Sequence, residues 1–263
     1  MSDHISTTIE DGVATVVLNR PKVLNALNPA MAKTLRTTTA ALAADTEVRC
    51  VVIKGAGEHF MAGGDVRHFH ELVQESAKAA GDNIGAEVDD VHAAIISIHT
   101  MPKPVVASIR GASAGFGMSL VAACDLAIAA EDAIFSLAYC RIGASPDGGS
   151  TWTLPRVVGL KRAMELALLG DRITPQMASD YGLINWVVPN ADLDERTADL
   201  ARRLAAGPVA ALARTKALLN ASSDKELEAQ LASEKINLVA SAGGAEFAEG
   251  VSAFVEKRPA RFP

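Results

Sequence analysis

The spacing of hydrophobic positions changes several times along this chain. Residues 7–9 and 13–19 are rich in Thr, Val and Ile, with Asp11-Gly12 between them, which predicts two strands joined by a tight hairpin turn. Residues 29–44 shift to a helical period, with Asn28 placed to cap the helix and Pro29 at its first position. Residues 50–54 are a short apolar run, read as a buried strand, and 55–65 are a glycine-rich loop. The stretch 66–100 is mostly helical in pattern, with Gly81 and Gly85 as interruptions. A strand over 104–109 leads to a second glycine-rich turn, 111–117, and a helix opening at 118–123. Short strands follow at 125–130 and 133–137, helices at 151–158, 160–169 and 175–181, and a last strand at 184–188. Beyond residue 192 every pattern is helical, through Phe254. Strands alternating with helices predict an α/β core over residues 1–191. The Ala-rich remainder, 192–263, reads as a separate helical region for packing or oligomerisation.

Composition narrows the function. The 263 residues suffice for one large domain or a core with an appendage, and 49% hydrophobic with 21% charged residues is an ordinary globular mix. A net charge of −6 offers nothing to nucleic acid or anionic membranes, and 4% aromatic residues leave few stacking platforms for single strands. Cys50, Cys124 and Cys140 are odd in number, form no CxxC and sit among apolar residues, so buried thiols in a reducing compartment are expected. Residues 1–10 carry acids and no apolar run, unlike a secretory leader, and no apolar stretch is long enough to span a bilayer. A cytoplasmic protein without nucleic-acid or membrane partners is expected.

Several motifs carry candidate chemistry. Gly111-Ala-Ser113-Ala-Gly115 matches the G-x-S-x-G elbow, between a strand and a helix. That hydrolase fold places its catalytic histidine after the serine, yet His4, His59, His68, His70, His92 and His99 all precede Ser113. Gly55-x-Gly57 and Gly115-x-Gly117 lack the third glycine of a dinucleotide fingerprint, and no P-loop is present. His68-x-His70 has no third ligand nearby, so no metal is expected. The two glycine-rich turns either connect elements tightly or present backbone N–H groups to an oxyanion, the second at a helix N-terminus. Asp147, in Ser145-Pro-Asp147-Gly-Gly149 between apolar segments, is either a turn or capping residue or a positioned general base.

The stretches Asn19-Arg-Pro-x-x-x-Asn25-Ala-Leu-Asn28, Gly57-Glu-His-Phe-Met-Ala62-Gly63-Gly64-Asp65, Pro102 to Leu120 with Cys124-Asp125, Tyr181-Gly-Leu183-Ile with Val187-Val-Pro189, and Glu249-Gly250 to Lys257-Arg together resemble the enoyl-CoA hydratase/isomerase (crotonase) superfamily. They occur in order over nearly the whole chain. The resemblance implies a spiral of ββα units with a C-terminal helical region that builds trimers, often paired into hexamers. It implies a coenzyme A thioester as substrate and no cofactor. The thioester oxygen would be held by the backbone N–H groups of Ala62 and Phe116, the latter usually glycine in the family. Lys22, Ala26, Ala62, Gly63, Gly64, Asp65, Phe116, Ser119 and Tyr139 would line the substrate site, with Phe254 and Lys257 reaching the nucleotide end from a neighbouring subunit.

The departures from the family pattern point further. Hydratases of the family use two glutamates, and those positions here are Ser119 and Tyr139. Asp147 falls where several isomerases of the family carry a single acid, and where 4-chlorobenzoyl-CoA dehalogenases carry a nucleophile. The resemblance thus implies an isomerase with Asp147 as acid and base, ahead of a hydratase, a dehalogenase or hydrolase, and a non-catalytic acyl-CoA binder. A dehalogenase would also need a histidine base, and neither His92 nor His99 falls clearly at its place.

Overall fold

A computed structural model describes residues 4–263, the side chains of residues 77 and 79 apart; residues 1–3 of the acidic opening segment lie outside the described residues. The hairpin is present as β1 (Ile5–Glu10) and β2 (Val13–Leu18), with Glu10 opposite Val13. Asp11 and Gly12 both take positive φ, 48° and 75°, as a two-residue hairpin turn of the right twist requires. Helix α1 (Pro29–Ala44) follows, and Asn28 Oδ1 accepts the Met31 N–H at 3.0 Å as its cap.

Three further turns of the chain bring β3 (Cys50–Gly55), α2 (Val66–Glu75), α3 (Ala77–Thr100), β4 (Val105–Ile109), β5 (Ala112–Ala114), α4 (Phe116–Ala123), β6 (Leu126–Ala130), β7 (Ile134–Ser136), α5 (Ser150–Val157) and α6 (Leu160–Leu169). Helix α7 (Pro175–Asp180) and β8 (Trp186–Val188) complete the strands, and α8 (Leu193–Ala205), α9 (Val209–Ser222), α10 (Leu227–Ala242) and α11 (Ala245–Glu256) end the chain. The main sheet runs β1-β2-β3-β4-β6-β8, parallel except for the hairpin. A second, narrower layer pairs β5 with β7 and is extended by single bridges Leu27–Gly64, Met61–Ser113 and Phe135–Ile173. Strands β4 and β6 are each followed by a short strand of the second layer, and β2 and β3 by a single bridge to it, before the chain enters helix, which is the expected ββα spiral.

Strands β3 and β4 are apolar on both faces because both are covered. One face meets the main core, including Val51, Ile53, Val105, Ala107, Phe60 and Met118. The other meets α8, where Val52, Val106, Ile128 and Val188 pack against Leu193, Ala201 and Ala205. The change to purely helical sequence near 192 is therefore not where packing changes: α8 belongs to the core layer, and the thinly packed region starts at α9. No residue of α9 or α10 is fully buried, and Lys216 ties α9 to the core through Asp125 Oδ2 at 2.8 Å and the Ile98 carbonyl at 2.7 Å.

Two expectations need correction. The break in 66–100 falls at Ser76, in extended conformation between α2 and α3. Helix α3 runs through Gly81 and Gly85, whose Cα positions face open space, so neither glycine is demanded by its surroundings there. Cys50 is buried, but Cys140 is exposed, on a 3₁₀ turn over Tyr139–Ile142 at the molecular surface.

Candidate active site

The Asn19 to Asn28 motif is a clamp for the first glycine-rich loop. Asn25 is fully buried at φ 56°, and its Nδ2 donates to the carbonyls of Ala56 (3.0 Å), His59 (2.7 Å) and Phe60 (3.2 Å). Its Oδ1 accepts the Arg20 N–H at 2.8 Å. Arg20 reaches across to Asp65 Oδ2 at 2.9 Å and to the Ala26 carbonyl. Asp65 and Ala26, expected to touch substrate, are thus engaged in holding the loop.

The direction of the loop's N–H groups decides which of them are free. The Ala62 N–H donates to the Leu24 carbonyl at 3.0 Å and is spent, which corrects the expected donor. Gly63 then takes φ 91°, and this reverses the alternation of the backbone. Leu27 N–H donates to the Gly63 carbonyl at 2.7 Å and Asp65 N–H to the Leu27 carbonyl at 2.8 Å, so the Gly64 N–H is turned to the opposite side. A Cβ on Gly63 would lie 3.1 Å from the Ala114 oxygen, so the loop needs glycine there for space as well as for φ. Among the described residues, the N–H groups of Gly64 and Phe116 find no acceptor. Phe116 is the first residue of α4, where the unpaired N–H groups and helix dipole favour negative charge.

Both residues line a cleft of about 710 Å³ with Asp147 and Tyr139. Its further walls come from α2 (Val66, Phe69, His70, Val73) and α3 (Ile84, Glu87, Val88, Val91). The Phe116 ring, 2% exposed, turns from the cleft onto the Asp147 loop: a Cβ at Gly148 would stand 2.7 Å from its Cδ2 and 2.9 Å from Ser119 Cβ. Gly148, at φ 59°, is the residue that permits this approach.

Ser119 and Tyr139 converge on Asp147. Tyr139 Oη donates to Asp147 Oδ1, and Ser119 Oγ donates to the Asp147 carbonyl at 3.0 Å while lying 3.3 Å from Tyr139 Oη. Ser150 Oγ donates to the same carbonyl at 2.8 Å. The hydroxyl protons of Ser119 and Tyr139 are therefore committed to positioning Asp147, whose side chain lines the cleft. Burial pushes the Asp147 carboxyl above its ordinary range, while the Tyr139 hydrogen bond and the nearby His92 pull it back. Burial and the neighbouring Asp147 charge push the Tyr139 phenol upward, so it stays a donor.

Other expected residues do not reach this cleft within one chain. Lys22 is exposed on the turn before Leu24. Phe254 is 85% exposed on α11 and borders an apolar groove with Phe247 and Phe262, and Lys257 ends α11 at φ 56°. His68 pairs with Glu87 (Nε2 to Oε1, 2.7 Å) rather than with His70. Glu87, a second cleft carboxylate, carried no signal in the sequence: it is one acid among several in a helical stretch.

A family model described as enoyl-CoA hydratase/isomerase matches residues 8–263. A Rhodobacter capsulatus protein named "Probable enoyl-CoA hydratase" is 40% identical, over 100% of this chain and 99% of its own length. The 1,2-epoxyphenylacetyl-CoA isomerase of Escherichia coli is 35% identical over 100% of this chain and 99% of its own. The crystal structure of an enoyl-CoA hydratase from Polaromonas sp. JS666 superposes with a TM-score of 0.92 at 35% identity, covering 98% of this chain and 99% of that one. A match over nearly the full length, on the two-layered fold and cleft described above, means that this chain belongs to the enoyl-CoA hydratase/isomerase family of acyl-CoA-processing enzymes.

Proposed function

We propose that the protein is an enoyl-CoA isomerase, moving a double bond or rearranging a ring next to a coenzyme A thioester with Asp147 as base and acid. The observation that carries this reading is the pairing of one oriented carboxylate, Asp147, with two free N–H groups, Gly64 and Phe116, on one cleft. The thioester oxygen sits between the two donors, which stabilise the enolate as it forms; removing one such donor typically costs about 3–4 kcal/mol of barrier stabilisation. Asp147 Oδ2 takes a proton from the carbon next to the carbonyl. The charge spreads over the dienolate, and the same carboxyl returns the proton at the γ carbon. Its upward shift makes it a stronger base than a solvated carboxylate. Hydration needs a second group to deprotonate water: Ser119 and Tyr139 are poor bases at neutral pH, and Glu87, the other carboxylate of the cleft, is engaged with His68.

Substrate anchoring by Phe254 and Lys257 then comes from a neighbouring copy, in a trimer or a pair of trimers. Exposed apolar side chains on the last three helices support this, among them Leu219, Ile236, Val239 and Phe254. Relatives named as hydratases favour the second reading, hydration of a 2-enoyl-CoA. Product analysis separates the two. The protein is incubated with 3-enoyl, 2-enoyl and ring-bearing acyl-CoA esters, and products are identified by mass and chromatography. Isomerisation leaves the mass unchanged, whereas hydration adds water. Faster hydration than isomerisation across chain lengths replaces the first reading by the second.

A further inference from the structure

Resting on the reading that the Asp147 cleft holds the acyl part of a CoA thioester, we infer that Glu87 makes the cleft select neutral acyl groups and reject chains that end in a carboxylate. The far walls are apolar, formed by Val66, Phe69 and Val73 on α2 and Ile84, Val88 and Val91 on α3. Into them projects Glu87, its side chain 16% exposed, with His68 hydrogen-bonded to Oε1 at 2.7 Å. Asp147 lines the same cleft from the loop before α5, and no lysine or arginine lines it among the described residues. A neutral chain loses water against apolar walls and gains. A chain with a terminal carboxylate enters a confined space holding two carboxylates and no cationic side chain beyond the imidazoles. Like charges brought together in such a setting cost enough to set specificity rather than fine-tune it. His68 does not substitute for a cation facing the ligand, because its Nε2 is directed at Glu87.

The test is binding, which does not depend on turnover. Affinities of hexanoyl-CoA and adipyl-CoA, equal in chain length and differing in the terminal carboxylate, are measured by calorimetry near pH 8, where free imidazole is neutral. The unaltered protein is expected to bind hexanoyl-CoA at least about ten-fold more tightly. Glu87→Gln keeps the shape and narrows the ratio by improving adipyl-CoA. Val73→Lys, at a half-exposed cleft position, narrows it in the same direction without touching Glu87. Adipyl-CoA binding as tightly as hexanoyl-CoA in the parent, or a ratio unmoved by folded variants, overturns the inference and leaves the CoA reading intact. Failure of both esters to bind overturns that reading as well.

Discussion

The hydrogen bond from Tyr139 to Asp147 makes the proposed mechanism sensitive to a single oxygen atom. Tyr139→Phe removes the phenol hydroxyl and little volume, so the Phe116–Gly148 packing that holds the loop is untouched. Burial raises the Asp147 carboxyl, and the Tyr139 donor is the largest influence opposing it, ahead of His92. A hydrogen bond to a charged group is worth about 1.5–3 kcal/mol, roughly a ten- to hundred-fold bias toward the ionised carboxylate. Its loss leaves burial less opposed, so Asp147 becomes a working base only at higher pH. The measurement is kcat/KM for a 3-enoyl-CoA from roughly pH 5 to 9, where the acid limb reports the free enzyme's base. The limb is expected to move upward, and the plateau above it to recover to within a few-fold of the parent. That recovery separates loss of a donor from loss of structure. An acid limb that stays in place or moves down refutes the argument, as does a plateau lost at every pH.

Asp147→Asn keeps the turn and the Tyr139 contact, and should lower the isomerase rate by about 10²–10⁴-fold while CoA affinity holds. The same variant tests the sign of the pKa shift. A carboxyl raised in the folded state contributes stability that is fully present in acid and lost as pH rises through the folded value, so thermal melts should show Asp147→Asn at least as stable as the parent at neutral pH, with the difference vanishing in acid. Asn25→Ala deprives three carbonyls and one N–H of their partner in a buried site, and urea denaturation should register a loss of about 2–4 kcal/mol. Light scattering in dilute neutral buffer should give a trimer or hexamer, and Lys257→Ala should weaken acyl-CoA binding at low salt; a monomer with unchanged affinity would remove the neighbour from the site.

Much of this architecture can be read from local chemistry. Asp11-Gly12 dictates the hairpin, Asn28-Pro29 the start of α1, and the doubly apolar runs of β3 and β4 a covered parallel sheet. What resists such reading depends on neighbours remote in sequence. Strand β5 is Ala-Ser-Ala, without β-branched residues, and is extended because it pairs with β7. The 192 boundary marks a change in element type, yet α8 is amphipathic and finds its partner in β3 and β6, on the sheet's far face. At the site, residue types were visible and roles less so. Ala62 and Gly64 are two residues apart, and the choice between them turns on which way each N–H points, set by Gly63 at φ 91°. Ser119 and Tyr139 stand out as replacements for carboxylates, but their service to Asp147 appears only once the turns of the spiral are stacked.

The stacking also ties the proposed oxyanion donor to the proposed base. Phe116 presents its N–H at the start of α4, while its ring lies against Gly148, the residue after Asp147. Ser119, one helical turn later, hydrogen-bonds the Asp147 carbonyl from the same helix. Donor and carboxylate are thereby referred to one short buried helix rather than to two independent loops. Proton transfer at the carbon next to a thioester requires the base and the oxyanion donors at a set separation, because both act on adjacent atoms of one planar group. A glycine at position 116 could not supply that bracing. Here a bulky Phe at a backbone-donor position is therefore part of the device that sets the Asp147 loop over the cleft, and Gly148 is its required complement.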